Sequence, residues 1–255
     1  MSAASAASAA SAAPSASRTA STWVGEAAAV FAKEWRSEIR TRYALNTLAL
    51  FAVNTLVVVS ASLGPLGAAP GRSSETLPVL LWLILLFAAA AGLPRSFVHE
   101  EETQTATALR LAATPSALFC GKLAYALTLL AALEALVAPL FLAVMNLDVA
   151  RPGLLIATLA AGGFGLAAGS TLVAAIIAQA RGKGTLFAVL SFPVLLPLLL
   201  LAVELTRGAF AGGGPPGQGG QGGQGEAGVA LLQLLLYDGA VTTAGLMLFP
   251  VVWNP

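Results

Sequence analysis

Residues 153–180 read GLLIATLAAGGFGLAAGSTLVAAIIAQA, an unbroken run with no charged side chain. A helix needs about 20 mainly apolar residues to cross the hydrocarbon core of a bilayer, whereas strands seldom exceed about 10 residues. A run this long and this neutral therefore reads as a membrane-spanning helix. Gly162, Gly163, Gly165 and Gly169 lie near its middle. Small residues there let neighbouring helices approach closely. The same glycines also resemble a nucleotide-binding fingerprint, so ligand contact stands as the second reading of them.

Five further segments of this kind flank the first. They span about 44–63, 77–98, 117–147, 185–205 and 229–253. The expected fold is all-α, with six transmembrane helices. Composition agrees with it. Of 255 residues, 57% are apolar and 10% charged, and the mean hydropathy is +0.83. Soluble domains carry roughly 25% charged residues, so this chain cannot cover a water-facing surface. A cytosolic enzyme and a secreted disulfide scaffold are excluded on that ground. The net charge of +1 offers no footprint for nucleic acid. The single cysteine, Cys120, allows no internal disulfide and reads as a small buried residue.

Outside the spans the chain has a clear plan. Residues 1–22 are almost entirely Ala and Ser and read as a disordered tail rather than a secretory signal. Residues 23–43 place Val24, Phe31, Trp35, Ile39 and Tyr43 at helical spacing among charged residues, the pattern of an amphipathic helix lying in the membrane interface. Residues 44–253 form the transmembrane domain. Within it the run GGGPPGQGGQGGQGEAG, 212–228, reads as a flexible external loop. Basic residues near helix ends gather on the cytoplasmic side. With six spans, Arg18, Lys33, Arg36, Arg40, Arg42, Arg95, Arg110, Lys122, Arg181 and Lys183 share one side, and only Arg72, Arg151 and Arg207 face the other. Both termini are therefore expected in the cytoplasm, with the chain multi-pass in a bacterial inner membrane.

Catalytic motifs are missing from the sequence. It has no Walker A run, no His-Glu-x-x-His and no G-x-S-x-G elbow. One histidine, His99, builds neither a multi-histidine metal site nor a convincing Ser-His pair. An interfacial position with no task suits it better than a haem-ligand role. No catalytic, cofactor-binding or metal-ligating residue is therefore assigned. The most informative polar stretch is RSFVHEEETQTATALRLAATPSALFCGK, 95–122. Its acidic cluster Glu100, Glu101 and Glu102 precedes a short apolar-spaced helix that ends before Pro115. Such a helix on a cytoplasmic loop suits docking into a partner's groove. A solvated connector is the alternative. Arg181 and Lys183 make a second basic turn on that side, which either sets topology or touches a partner.

Three acids lie in or beside spans, where charge is costly. Glu134 precedes Pro139, and Asp238 follows Tyr237, a candidate hydrogen-bond partner. Both acids read either as substrate or gating groups or as interhelical hydrogen-bonding groups. Glu204, within a turn of Arg207, reads as half of an interfacial ion pair.

Three passages resemble the CcmB family, the haem exporter protein B family of bacterial cytochrome c maturation. KEWRSEIRTRYALN (33–46) is similar to the short basic helix that opens one branch of that family. Phe97, Glu100, Pro115 and Lys122 match its F-x-x-[DE]…P…K loop. Arg181-Gly182-Lys183-Gly184, followed by LFAVLSFPVLLP with Pro193 and Pro197, resembles its R-G-G turn and P-x-x-x-P helix. The resemblance covers about 35–253. One departure is clear: Gln104 to Thr107 stand where many members have Gly followed by Leu-Glu.

The resemblance implies an ABC-2-like permease subunit, non-catalytic, with ATP bound and hydrolysed on a separate cytoplasmic subunit of the CcmA type. It also implies a haem-handling membrane partner of the CcmC type, with haem as cargo of the complex and no cofactor on this chain. On this view Phe97, Glu100, Glu101, Glu102, Leu109, Leu111, Pro115, Lys122 and Arg181 contact the ATPase, and Glu134 and Asp238 are the intramembrane polar candidates. Two alternatives share the plan. One is an ABC-2-type exporter permease for lipid, polysaccharide or drug; the other is an ion-coupled secondary transporter using Glu134 and Asp238.

Overall fold

Inside a bilayer every backbone N–H and C=O must find its partner within the protein, and a helix does this locally. The structure, a computed structural model, describes residues 22–63, 73–93, 113–178, 183–210 and 222–253. Those residues form seven helices and no strand. They are α1 (Trp23–Thr41), α2 (Tyr43–Leu63), α3 (Ser73–Gly92), α4 (Pro115–Val144), α5 (Pro152–Ala178), α6 (Lys183–Phe210) and α7 (Gly222–Trp253). Local chemistry sets several ends. The Thr22 hydroxyl accepts the Gly25 N–H at 3.3 Å and caps α1. Pro115 and Pro152 each open a helix, where a missing N–H costs nothing. Arg42, left-handed with φ 50°, turns α1 directly into α2.

Five of these helices are long and apolar enough to cross a membrane: Tyr43–Ser62, Pro115–Val144, Pro152–Ile177, Leu190–Phe210 and Gly225–Val251. The expected span at 77–98 is shorter than its sequence reading. Its apolar helix runs only Thr76–Gly92. Pro94 follows, and the residue before a proline is driven away from helical geometry. Part of the glycine-rich run expected as a loop is helical, because α7 already begins at Gly222, while 212–221 lie outside the described residues. Extending an established helix backwards costs about 1 kcal/mol per glycine at most, far less than starting one. The Ala/Ser tail, apart from Thr22, lies outside the described residues.

Helix α5 is the hub. It is buried along most of its length and packs against α3, α4, α6 and α7. Its glycines are what admit these neighbours. A Cβ on Gly162 would enter the Trp82 ring of α3, one on Gly163 would meet the Glu134 carboxyl of α4, and one on Gly165 would meet Asp238 of α7 and Leu198 of α6. Gly169 stands in the same way against Leu195 of α6. Of the two readings of this cluster, each glycine's surroundings give helix packing. Trp82 itself is fully buried and donates its indole N–H to Thr206 Oγ1 at 2.9 Å, tying α3 to α6 beside the hub.

Gly162→Val should therefore lower stability by about 1–3 kcal/mol, the usual cost of overpacking. Gly239→Ala, where a Cβ meets nothing within 4 Å, should leave stability unchanged or raise it by up to about 1 kcal/mol. Thermal unfolding of both variants in detergent checks the contrast. Equal behaviour of the two would contradict the packing of α5.

Candidate functional site

Glu26, Val30, Glu34 and Glu38 recur every fourth residue of α1 and so share one face of the helix. That face lies against the start of α4. Glu26 Oε2 accepts both the backbone N–H of Thr114, at 2.9 Å, and its hydroxyl, at 2.8 Å. Glu34 Oε1 pairs with Lys122 Nζ at 3.1 Å and with Lys33 Nζ at 3.2 Å. Glu38 accepts the Tyr125 hydroxyl at 3.1 Å through one oxygen and the Leu45 N–H at 2.9 Å through the other. Between these polar contacts Val30 lies on Gly121, where a Cβ would collide with it. The partners ascend together in both helices, so α1 runs parallel to the first three turns of α4.

The energetics of this seam are those of buried charge. The Lys122 side chain is 0% exposed and that of Glu34 10%. Each would be strongly disfavoured alone in such surroundings, and each makes the other tolerable. Length explains why the seam is possible at all. Thirty residues of α4 extend about 45 Å, against a hydrocarbon core of about 30 Å, so its first turns have room to project beyond the core. Glu38 adds a second link: by accepting a free N–H in the first turn of α2, it joins α1, α2 and α4 at one end of the bundle.

Several expectations change here. The acidic side of the amphipathic helix packs on protein, and of its five spaced apolar residues Val24, Ile39 and Tyr43 are exposed while Phe31 and Trp35 are half-buried. Lys122, expected to face a partner, is buried on Glu34 and holds α1 instead, because an ammonium in an apolar bundle must stay with its carboxylate. Pro115 is the first residue of α4 and half-buried. Phe97, Glu100, Glu101, Glu102, Leu109, Leu111 and Arg181, together with His99, lie outside the described residues. Cys120 is free and half-buried. Glu34 and Glu38 are two of the charged residues of the amphipathic segment, to which the sequence assigns no partner. The four-residue rhythm from Glu26 to Glu38 is the signal that they share one face.

The two embedded acids are in a different place. Glu134 of α4 and Asp238 of α7, the latter 2% exposed, both press on the middle of α5. Glu134 Oε1 and both Asp238 carboxyl oxygens are buried without a hydrogen-bond partner among the described residues. They do not meet each other across a cavity. Gly163 and Gly165, which they contact, are two residues apart and so point about 200° apart around α5. Tyr237, expected beside Asp238, instead donates to the Val194 carbonyl of α6 at 2.6 Å. Glu204 and Arg207 do form their ion pair, at 3.3 Å on the surface. Among the described residues no group of three or more His, Cys, Asp or Glu side chains is placed to hold a metal.

Removing one partner of the seam should cost much more than removing both. Lys122→Met should destabilise by about 3 kcal/mol, the lower end for a broken buried pair because Lys33 still faces Glu34. The double variant Glu34→Leu/Lys122→Met should recover most of that loss, since an apolar pair of similar size is often neutral. Detergent unfolding of the two single variants and the double variant measures the coupling, and additive losses would contradict it.

The profile of the CcmB protein family matches residues 26–217. The match begins at the first glutamate of the seam and runs past the end of α6, taking in Lys122, Tyr125, Glu134 and the glycines of α5, while α7 and Asp238 lie beyond it. The chain is also similar to Heme exporter protein B of Bradyrhizobium diazoefficiens, with 30% identity over 164 residues that cover 64% of this chain and 72% of that protein. With well over half its length matched and five helices of membrane-crossing length, this multi-pass membrane protein belongs to the CcmB family.

Proposed function

We propose that this chain is the transmembrane permease subunit of a haem exporter complex that serves cytochrome c biogenesis. The observation that carries the reading is the family match over 26–217, which contains Glu26, Val30, Glu34 and Glu38 together with Thr114, Gly121, Lys122 and Tyr125, the residues they contact. The similarity to Heme exporter protein B supports haem as the cargo. Haem is substrate of the complex here, and this chain is assigned no cofactor of its own. ATP belongs to a cytoplasmic ABC subunit of the CcmA type, and haem handling is shared with a membrane protein of the CcmC type.

In this reading the bundle spans the bacterial inner membrane six times, in an ABC-2-like arrangement, with both termini in the cytoplasm. The sixth span is α3. Its apolar part, Thr76–Gly92, is about 25 Å long, a little short of the hydrocarbon core. Trp82, Leu81 and Leu85 nevertheless bury it among longer helices, and a short span is accommodated by local thinning of the bilayer.

The ATPase docks on residues 95–122, through Phe97, Glu100, Glu101, Glu102, Leu109, Leu111 and Pro115, with Arg181 nearby. Lys122 serves from behind this surface, through Glu34. The grip of Glu26 on Thr114 supports this arrangement, because it ties α1 to the point where the docking loop becomes α4. A push on the loop then moves α1 and α4 as one body.

An ion-coupled carrier is the competing reading, and the buried Glu134 and Asp238 are its observation. Their placement on opposite sides of α5 supports packing rather than one coupling site.

Replacing 95–112 with a Gly/Ser linker of equal length should leave the chain in the membrane but abolish co-purification of the ATPase. It should also remove c-type cytochromes from the cell. Asp238→Asn and Glu134→Gln, nearly isosteric, should keep cytochrome levels within about twofold, since volume-conserving changes in a core cost little. Loss of function with either amide, or ATPase binding that survives the linker, would count against this assignment.

A further inference from the structure

An apolar groove runs down the outside of the bundle between α3 and α6. At the end remote from α1 it opens into a cavity of about 490 Å³, walled by Val79, Trp82 and Leu83 on one side and by Leu196 and Leu200 on the other. That end is identified by the Arg151 N–H, which donates to the Ala209 carbonyl at 3.0 Å and so joins the α4–α5 connection to the last turn of α6. Leu200, one of the lining residues, is 71% exposed. The walls are apolar except at the mouth, where Glu204 and Arg207 stand one turn apart. From Leu196 to Arg207 the groove is about 17 Å long, close to the depth of one leaflet, about 15 Å.

The mouth carries charge of both signs that is largely unused. A guanidinium has five N–H donors, and Arg207 spends one on Glu204, at 3.3 Å, with its side chain 40% exposed. Glu204 is more open still, at 69%. A ligand matched to this mouth has an anion beside an ammonium, with a hydrocarbon chain below them. Haem fits less well: it carries two carboxylates, and the mouth offers one cation already beside a carboxylate.

We propose that the groove between α3 and α6 binds a zwitterionic phospholipid with a primary ammonium headgroup, phosphatidylethanolamine in chemical class. Its phosphate lies on Arg207, its ammonium on Glu204 and one acyl chain between Val79, Leu83, Leu196 and Leu200. The walls and the pair are already in place. Trp82 is fixed by its bond to Thr206, so the groove has a rigid floor that the lipid does not have to organise.

Native mass spectrometry of the full chain in detergent tests this directly, with phosphatidylethanolamine, phosphatidylglycerol and phosphatidylcholine added separately. The wild-type chain should retain the first most strongly, because phosphatidylglycerol has no ammonium and the quaternary ammonium of phosphatidylcholine cannot donate to Glu204. Arg207→Gln should reduce its retention about tenfold, the scale of a lost charge-assisted contact, and Arg207→Lys should keep most of it. Glu204→Gln should remove the preference over phosphatidylglycerol. Leu200→Trp, which fills the groove without touching either charge, should lower retention of all three lipids. Equal retention of the three lipids by the wild-type chain would overturn the proposal, as would full retention by Arg207→Gln or by Leu200→Trp. So would efficient cross-linking of a Leu200→Cys/Cys120→Ala chain to a second copy in native membranes, since a protein partner would then occupy the groove.

Discussion

The bundle depends on how closely other helices can approach α5. Lipid tails are as apolar as leucine, so helices in a bilayer gain little from burying apolar surface against one another and rely on close packing instead. Gly162, Gly163, Gly165 and Gly169 remove four side chains from the centre of α5, and Trp82, Glu134, Asp238 with Leu198, and Leu195 occupy the space. Four neighbouring helices thus gain their contacts from one sequence feature. The same glycines explain how two acids reach the middle of the bundle: each carboxyl lies where the glycine opposite it has no side chain.

Strong polar contacts concentrate away from that centre, at the end formed by α1 and the start of α4. Ions are affordable there because α4 is longer than the bilayer core requires, and because each carboxylate has a donor from another helix. Glu26, Glu34 and Glu38 bind Thr114, just ahead of α4, then Lys122 and Tyr125 within it, and Glu38 reaches α2 as well. The consequence is mechanical. A helix that would otherwise float in the interface is bound to a spanning helix, next to the loop proposed to receive the ATPase.

Much of this was legible in the sequence, and the misses have physical causes. Long uncharged runs marked the spans because a bilayer penalises charge at every turn, and the glycine cluster of α5 could be read as packing for the same reason. The short α3 was overestimated: hydropathy continues to Val98, but helical geometry stops before Pro94. Tyr237 was assigned to its sequence neighbour, whereas successive residues of a helix point 100° apart, and its hydroxyl reaches α6 instead. The seam itself was hidden because a charged face on a leading helix has the same periodicity whether it meets water or a buried lysine. Only the tertiary partner, 88 residues further along in the case of Lys122, decides between them.

In the proposed reading the permease needs a stable centre and one end that can be moved from the cytoplasm, and the two sets of contacts would supply these separately. The central claim is that α1 and α4 move as one body when the proposed ATPase binds nucleotide. Distances between spin labels test it most directly, in the assembled complex with Cys120 replaced by alanine. Labels at the exposed positions Ile39 of α1 and Leu136 of α4 should keep their separation on addition of ATP, while Ile39 and Met247 of α7 should change theirs. A nucleotide-dependent change between Ile39 and Leu136, with Ile39 and Met247 constant, would contradict the account.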